Sequence, residues 1–256
     1  MIILLSPAKT LDYKTKSPLN EDSLPIFHKQ AEIIASEMKK FSAKQISELM
    51  EVSMDLAQLN FERFQNWNKD KTITPLKQAI YAYKGDVYLG LNAYLWEKDK
   101  IDFAQQNLRI LSGLYGYLKP LDLIKPYRLE MGTKVKIKTQ PDLYHFWRNR
   151  ITKAVIEEIN LNESNLVINL ASMEYSSVLD YKKMNSKVIS PQFLDFKNGS
   201  FKMISFFAKK ARGMMASYLC EYKITNAEDI IGFNQDGYIY NPQLSLEDKP
   251  VFTRTQ

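Results

Sequence analysis

The sequence predicts a mixed α/β fold, a sheet flanked by helices, in one continuous domain spanning residues 1–256. Three observations carry that prediction. The chain opens on the apolar run MIILLS, the stretch from about Leu24 to Trp67 shows helical spacing, and the second half alternates strand-like with helical segments. No linker, repeat or low-complexity tract interrupts it.

MIILLS reads as a buried central strand that stops at Ser6-Pro7, because proline cannot donate to a ladder. The loop SPAKTLDYKTKSP leaves its end. Ile26, Phe27, Ile33, Ile34, Met38 and Phe41, then Leu56, Leu59, Phe61 and Phe64, recur at near-helical spacing and predict two or three helices. Ser42 and Ser53 are placed to cap them. Thr74-Pro75 predicts a further helix, with proline in its first turn, running into YKGDVYLG. Lys134–Lys138 (KVKIK) alternates polar with apolar residues and predicts a half-exposed strand. Asp142 predicts the cap of a helix reaching Ile159. NLVINL predicts a strand and ASMEYSSVLDY a helix. Strands are expected around Lys187–Leu194 and Ser200–Ile204, joined through the hairpin signal Asn198-Gly199, followed by a helix over Phe207–Glu221. Asp236-Gly237 predicts a second hairpin.

Composition sets limits on function. With 256 residues, 45% hydrophobic and 25% charged, the chain can bury a substantial core and has an ordinary soluble balance. The net charge of +6 permits nucleic-acid binding without establishing it. The single Cys220 excludes an intramolecular disulfide and argues against a Cys-rich zinc site. His28 and His145 lie far apart, which argues against a His-rich metal centre. Asp12, Asp86, Glu130 and Glu174 could meet Mg²⁺ or iron, but stand at no recognised ligand spacing. No metal and no cofactor is therefore expected. Cys220, in the apolar-flanked YLCEY, reads as packing, which disfavours thiol peroxidase chemistry. The opening run is too short for a signal peptide or a membrane span, so a cytoplasmic monomer without membrane attachment is expected.

The richest segment is Asn107–Gly132, NLRILSGLYGYLKPLDLIKPYRLEMG. It sets Gly113, Gly116 and Gly132 and two prolines among Arg109, Lys119, Lys125 and Arg128. Glycines permit turns and close approaches, and cations beside such a turn offer charge to a phosphate. The segment reads as a surface feature facing an anion. Lys134, Lys136 and Lys138, then Arg148, Arg150 and Lys153, extend the basic region, and Lys209, Lys210 and Arg212 form a second cluster in SFFAKKARGMM. Solvated faces are the plain alternative for each cluster.

ILLSPAKTLDY, YKGDVYLGL, FAQQNLRILSGLYGYLKPLDLIKPYRLEMG, DLYHFWRNRIT, VINLASMEYSSVL and ISFFAKKARGMM together resemble the YaaA family of peroxide stress resistance proteins, in the family's order and across essentially the whole chain. The resemblance implies a single-domain α/β architecture likened to a cantaloupe, with a basic cleft and a helix-hairpin-helix-like element. It also implies binding to double-stranded DNA and a role in limiting iron-driven oxidative damage. On this chain the hairpin element falls on LRILSGLYGYLKPLDL, with Ser112, Gly113 and Gly116 at the turn. Leu108–Gly113 can equally be a strand, making Ser112–Gly116 a strand-to-helix loop that also presents N–H groups to an anion.

Two functional readings stand side by side. In the first, the protein grips duplex phosphates without regard to sequence through Lys9, Lys84, Arg109, Ser112, Gly113, Gly116, Lys119, Lys125, Arg128, Lys209, Lys210 and Arg212, with Tyr115, Tyr117 and Tyr127 available to sugar or base. In the second, the same cleft is the active site of an enzyme for a nucleotide or nucleobase. Lys9 in SPAKT and Asn169, Ser172 and Glu174 lie at strand ends, and Asp86 or Glu174 would be the general acid/base. The plain alternative makes Asp86 a helix cap, Arg128–Glu130 a surface pair and Glu174 a first-turn acid.

Overall fold

The structure, a computed structural model, describes residues 1–68, 74–162 and 164–255. Ile2–Leu5 forms strand β1, with all four side chains fully buried. The loop after it makes the short strand β2 (Thr10–Leu11). Three helices follow as the apolar spacing predicts, α1 (His28–Met38), α2 (Ala43–Met50) and α3 (Met54–Gln65). Ser42 caps α2 reciprocally with Gln45, and the Ser53 hydroxyl accepts from the Leu56 N–H at the start of α3. Each cap satisfies a first-turn donor that has no partner inside the helix, worth about 1 kcal/mol.

Thr74-Pro75 does not open a long helix. The chain forms strand β3 (Lys77–Gln78), the single turn α4 (Ala79–Ala82), strand β4 (Tyr83–Lys84) and then α5 (Asp86–Leu91). Tertiary contacts override the local signal. Lys77 is buried, and its ammonium donates to the carbonyls of Asp12 and Thr15 at 2.7 Å each and to the Tyr94 hydroxyl at 2.8 Å. β4 pairs with β2, which ties the loop after β1 to this segment.

Helix α6 (Lys98–Asn107) runs into β5 (Leu108–Ser112), so this stretch is a strand. The chain turns at Gly113–Tyr115 and returns antiparallel as β6 (Gly116–Leu118). Two strands therefore flank the glycines, in place of the helix-hairpin-helix expected there. Every residue from Leu108 to Leu118 is buried, leaving none of the solvent-facing stripe that a surface helix carries. A further short strand, β7 (Leu123–Ile124), pairs with β3. KVKIK buries Val135 and Ile137 and exposes its lysines, as its alternation predicts. It forms no strand, however, and only an isolated bridge joins Ile137 to Gln140.

Asp142 caps α7 (Leu143–Leu161) by accepting from the His145 N–H at 2.8 Å. Strand β8 (Leu166–Asn169), the single turn α8 (Met173–Ser176) and strand β9 (Lys187–Ile189) follow. β10 (Gln192–Lys197) and β11 (Ser200–Lys202) form the expected hairpin, with Asn198 and Gly199 both at positive φ. Next come α9 (Ser205–Glu221), β12 (Ile239–Tyr240) and β13 (Val251–Arg254). Asp236-Gly237 is a left-handed turn leading into β12. No strand precedes it, and β12 pairs with β13, so the second hairpin does not form.

The main sheet runs β6-β5-β1-β8-β9, with β5, β1, β8 and β9 parallel, and a second sheet runs β11-β10-β13-β12. One contiguous hydrophobic core joins them, giving the mixed α/β architecture that the sequence predicts. No helix among the described residues is long and apolar enough to cross a membrane.

Arg109 is only 2% exposed, inside β5. Its Nε donates to Glu158 Oε2 at 2.7 Å, an oxygen that also accepts from the Tyr117 hydroxyl at 2.7 Å. Glu158→Gln keeps the shape and strands the buried guanidinium. The substitution is expected to cost about 3 kcal/mol in urea denaturation, as breaking a buried pair does. A loss near zero would show that the pair is not carrying that charge.

Candidate functional site

Parallel strands β1, β8 and β9 end on the same edge of the main sheet. After β1 the chain next joins this sheet on one side, as β5, and later on the other, as β8. The loops leaving β1 and β8 diverge at that switch, where a doubly connected parallel sheet opens a crevice. Ser6, the first residue past β1, holds the two loops together. Its Oγ accepts from the Ser172 N–H at 2.8 Å and donates to Ser172 Oγ at 3.3 Å.

The crevice is a cleft of about 270 Å³ whose walls bring together Lys9, Lys84, Asp86, Glu174, Lys209 and Arg212. A second chamber of about 550 Å³ continues past Asn169 and Ser190, and Ser172, Lys209 and Arg212 line both. Two glycines place the helices that carry these groups. A Cβ on Gly213 of α9 would stand 1.8 Å from the Val87 carbonyl oxygen, and one on Gly90 of α5 would stand 2.0 Å from that of Lys210. Only glycine permits this backbone-to-backbone contact, which sets Lys209 and Arg212 opposite Lys84–Asp86.

The charges are unevenly matched. Lys9 Nζ lies 2.6 Å from Glu130 Oε2, and the other oxygen of Glu130 takes Arg128 at 3.1 Å. Lys84 is 4.0 Å from Asp12, whose carboxyl is held down at about 2, chiefly by the Thr15 N–H and hydroxyl. Glu174 Oε1 accepts from the Gly132 N–H at 3.1 Å. Asp86, in the first turn of α5 after Gly85, has no hydrogen-bond or ion-pair partner among the described residues. Arg212 also lacks one. Its side chain is half-buried in the cleft wall, and desolvation pulls its guanidinium below the ordinary value. Lys209 lies one turn before it, exposed at the mouth.

The other predicted residues serve elsewhere. Lys210 turns away to Asp236 at 3.2 Å. Arg109 is buried with Glu158, and Lys119 stands 4.0 Å from the same carboxylate. Lys125 donates to the Trp67 carbonyl, with its ammonium 4.9 Å above the Trp67 ring. The Ser112 hydroxyl bonds the Tyr127 hydroxyl at 2.6 Å inside the core. The anion-facing turn expected at Gly113 and Gly116 is a packing feature. A Cβ on Gly113 would sit 2.4 Å from the Leu129 carbonyl oxygen, and one on Gly116 would sit 2.6 Å from the Trp147 ring. Tyr115, Tyr117 and Tyr127 are buried and present no face to a sugar or base. Sequence reasoning passed over Ser6, although its position directly after a buried strand and before proline was the available signal. Among the described residues no cluster of three or more His, Cys, Asp or Glu could hold a metal ion.

A family model described as peroxide stress protein YaaA matches residues 1–244. A UPF0246 protein of Hahella chejuensis is 47% identical over 254 residues, covering 99% of this chain and 99% of that protein.

Cys220 is fully buried in α9, and burial pushes its thiol up to about 12. A thiolate, which is the form that attacks peroxide, is therefore scarce at neutral pH. The folded protein at pH ~8 is expected to resist a disulfide-exchange reagent and to react fully once denatured. Rapid reaction of the folded form would contradict this burial.

Proposed function

Because this chain belongs to the family described as peroxide stress protein YaaA, we propose that it acts in the cytoplasmic peroxide stress response by gripping phosphates of duplex DNA in its cleft, so limiting iron-driven damage there. The observation that supports this most is Arg212. Its half-buried guanidinium lines both chambers without a carboxylate, and an incoming phosphate supplies the missing counter-charge. Lys209 adds a second cation on the same helix face, and Lys9 and Lys84 stand at the mouth. A cleft of about 270 Å³ admits one phosphate with its sugar and not a duplex, so the DNA meets it through its backbone. Such contacts position a duplex without reading its sequence.

Each phosphate neutralised contributes about 0.9 to the slope of log affinity against log salt. Lys209→Ala with Arg212→Ala is therefore expected to weaken duplex binding and to flatten that slope by about 2 in fluorescence anisotropy. Unchanged affinity and slope in the double variant would remove the basic face from the account.

One observation favours a second reading, an enzyme for a nucleotide or nucleobase: Asp86 is an unpaired carboxylate in the same cleft as Glu174. Asp86→Asn and Glu174→Gln separate the two. If the cleft only binds, removing a negative charge leaves phosphate affinity equal or higher. Loss of a measured turnover on nucleotides, with binding retained, would favour the enzyme.

A further inference from the structure

A phosphate in the first cleft makes no use of the chamber of about 550 Å³ that continues from it. That volume is ordinary for a small-molecule site, roughly 300–1,000 Å³. The chamber lies past the carboxyl ends of two parallel strands, with Asn169 the last residue of β8 and Ser190 the first after β9. Strand ends of a parallel sheet are where such folds place ligands. Ser172, Lys209 and Arg212 stand in the walls of both spaces, so one molecule can reach from the first into the second.

The two spaces differ in chemistry. The first cleft carries Lys9, Lys84, Asp86 and Glu174 besides the shared cations. Beyond Lys209 and Arg212, the chamber's lining among the described residues holds no charged side chain. Its polar groups are amides and hydroxyls. Gln192 and Ser205 are exposed and make no side-chain hydrogen bond among the described residues. Asn169 Oδ1 accepts from the Ala171 N–H at 3.1 Å, which fixes the amide, while its amino group reaches Ser190 Oγ only at 3.5 Å, the long limit of a hydrogen bond. Each of these side chains can both donate and accept, which suits the hydroxyls of a sugar. Met173 and Met203, 83% and 65% exposed, add adaptable apolar cover to the same walls.

We propose that this chamber binds the uncharged, hydroxyl-bearing body of a phosphate monoester, a sugar phosphate or a nucleotide, whose phosphate is held at Lys209 and Arg212. The inference rests on the phosphate reading of the cleft. A monoester carries about −1.5 to −2 charge at neutral pH and so matches two cations, where an internal backbone phosphate carries a single negative charge. A body with a charge of its own fits poorly, because the chamber offers no further counter-ion among the described residues. The monoester arrives either as a free small molecule or as the phosphorylated end of a DNA strand.

The test compares inorganic phosphate with ribose 5-phosphate and the common nucleoside monophosphates by calorimetry. Fluorescence anisotropy then compares a duplex bearing 5′-phosphates with the same duplex ending in hydroxyls. The attached body is expected to improve affinity about tenfold, the return of one or two net hydrogen bonds. A gain confined to the free esters identifies a small molecule, and a gain for the phosphorylated duplex identifies a strand end. Gln192→Ala with Ser205→Ala should remove the gain while leaving inorganic phosphate binding unchanged. Both side chains are exposed and bond no other described residue, so the double variant should fold, which a thermal melt verifies. No gain in either arm, or a gain that survives in the double variant, overturns the chamber; Arg212→Ala still abolishing phosphate binding then leaves the phosphate site standing. Failure of inorganic phosphate and every ester to bind removes the underlying reading and the chamber with it.

Discussion

The parallel pairing of β1 on both of its edges governs what the rest of the molecule can be. Ile3 stands beside Leu108 on one side and Ile168 on the other, so the strand has ladder partners on each edge and apolar cover on both faces. That arrangement sends the chain to opposite sides of the same strand and opens the crevice at its carboxyl end. Ser6 then closes the gap between the two departing loops through Ser172. The cleft is thus a consequence of strand order, and the glycine contact between α5 and α9 brings the cations over it.

Three deeply placed cations are satisfied from within. Arg109 has Glu158 and three backbone carbonyls. Arg254 has Asp195 at 2.6 Å, beside the Tyr238 hydroxyl, and Lys77 has two carbonyls and a hydroxyl. A protein that supplies these partners leaves Arg212 without one in a cleft, together with an unpaired Asp86. Desolvating a charge without a partner is unfavourable in the free protein, and a bound anion reverses that cost.

Much of this was legible in the sequence wherever local chemistry and burial agree. The strands at Ile2–Leu5 and Leu166–Asn169, the serine caps, the Asp142 cap and the Asn198-Gly199 hairpin follow from residue type alone. Lys9, Lys84, Asp86, Glu174, Lys209 and Arg212 were also readable as one cleft, because strand ends and helix starts gather at a sheet edge. The misreadings at Arg109, Gly113 and Gly116 share one cause. Glycine beside a cation looks the same whether it faces an anion or a tight core, and only the Trp147 ring against Gly116 and Glu158 against Arg109 decide between them. Lys209 and Lys210 are neighbours in sequence, yet one helical step of about 100° sends them to different surfaces. Thr74-Pro75 failed because Lys77 is drawn into a cage of carbonyls from a loop some sixty residues away in sequence.

The most direct test of the central claim is NMR of isotopically labelled arginine side chains, with Arg212→Lys used to assign its signal, during titration with a duplex oligonucleotide and then with inorganic phosphate. An unpartnered guanidinium in the cleft wall that receives a phosphate should show a saturable shift at Arg212 in both titrations, while Arg109 and Arg254, already paired inside the protein, stay unmoved. A duplex that binds while the Arg212 signal stays fixed would contradict the account.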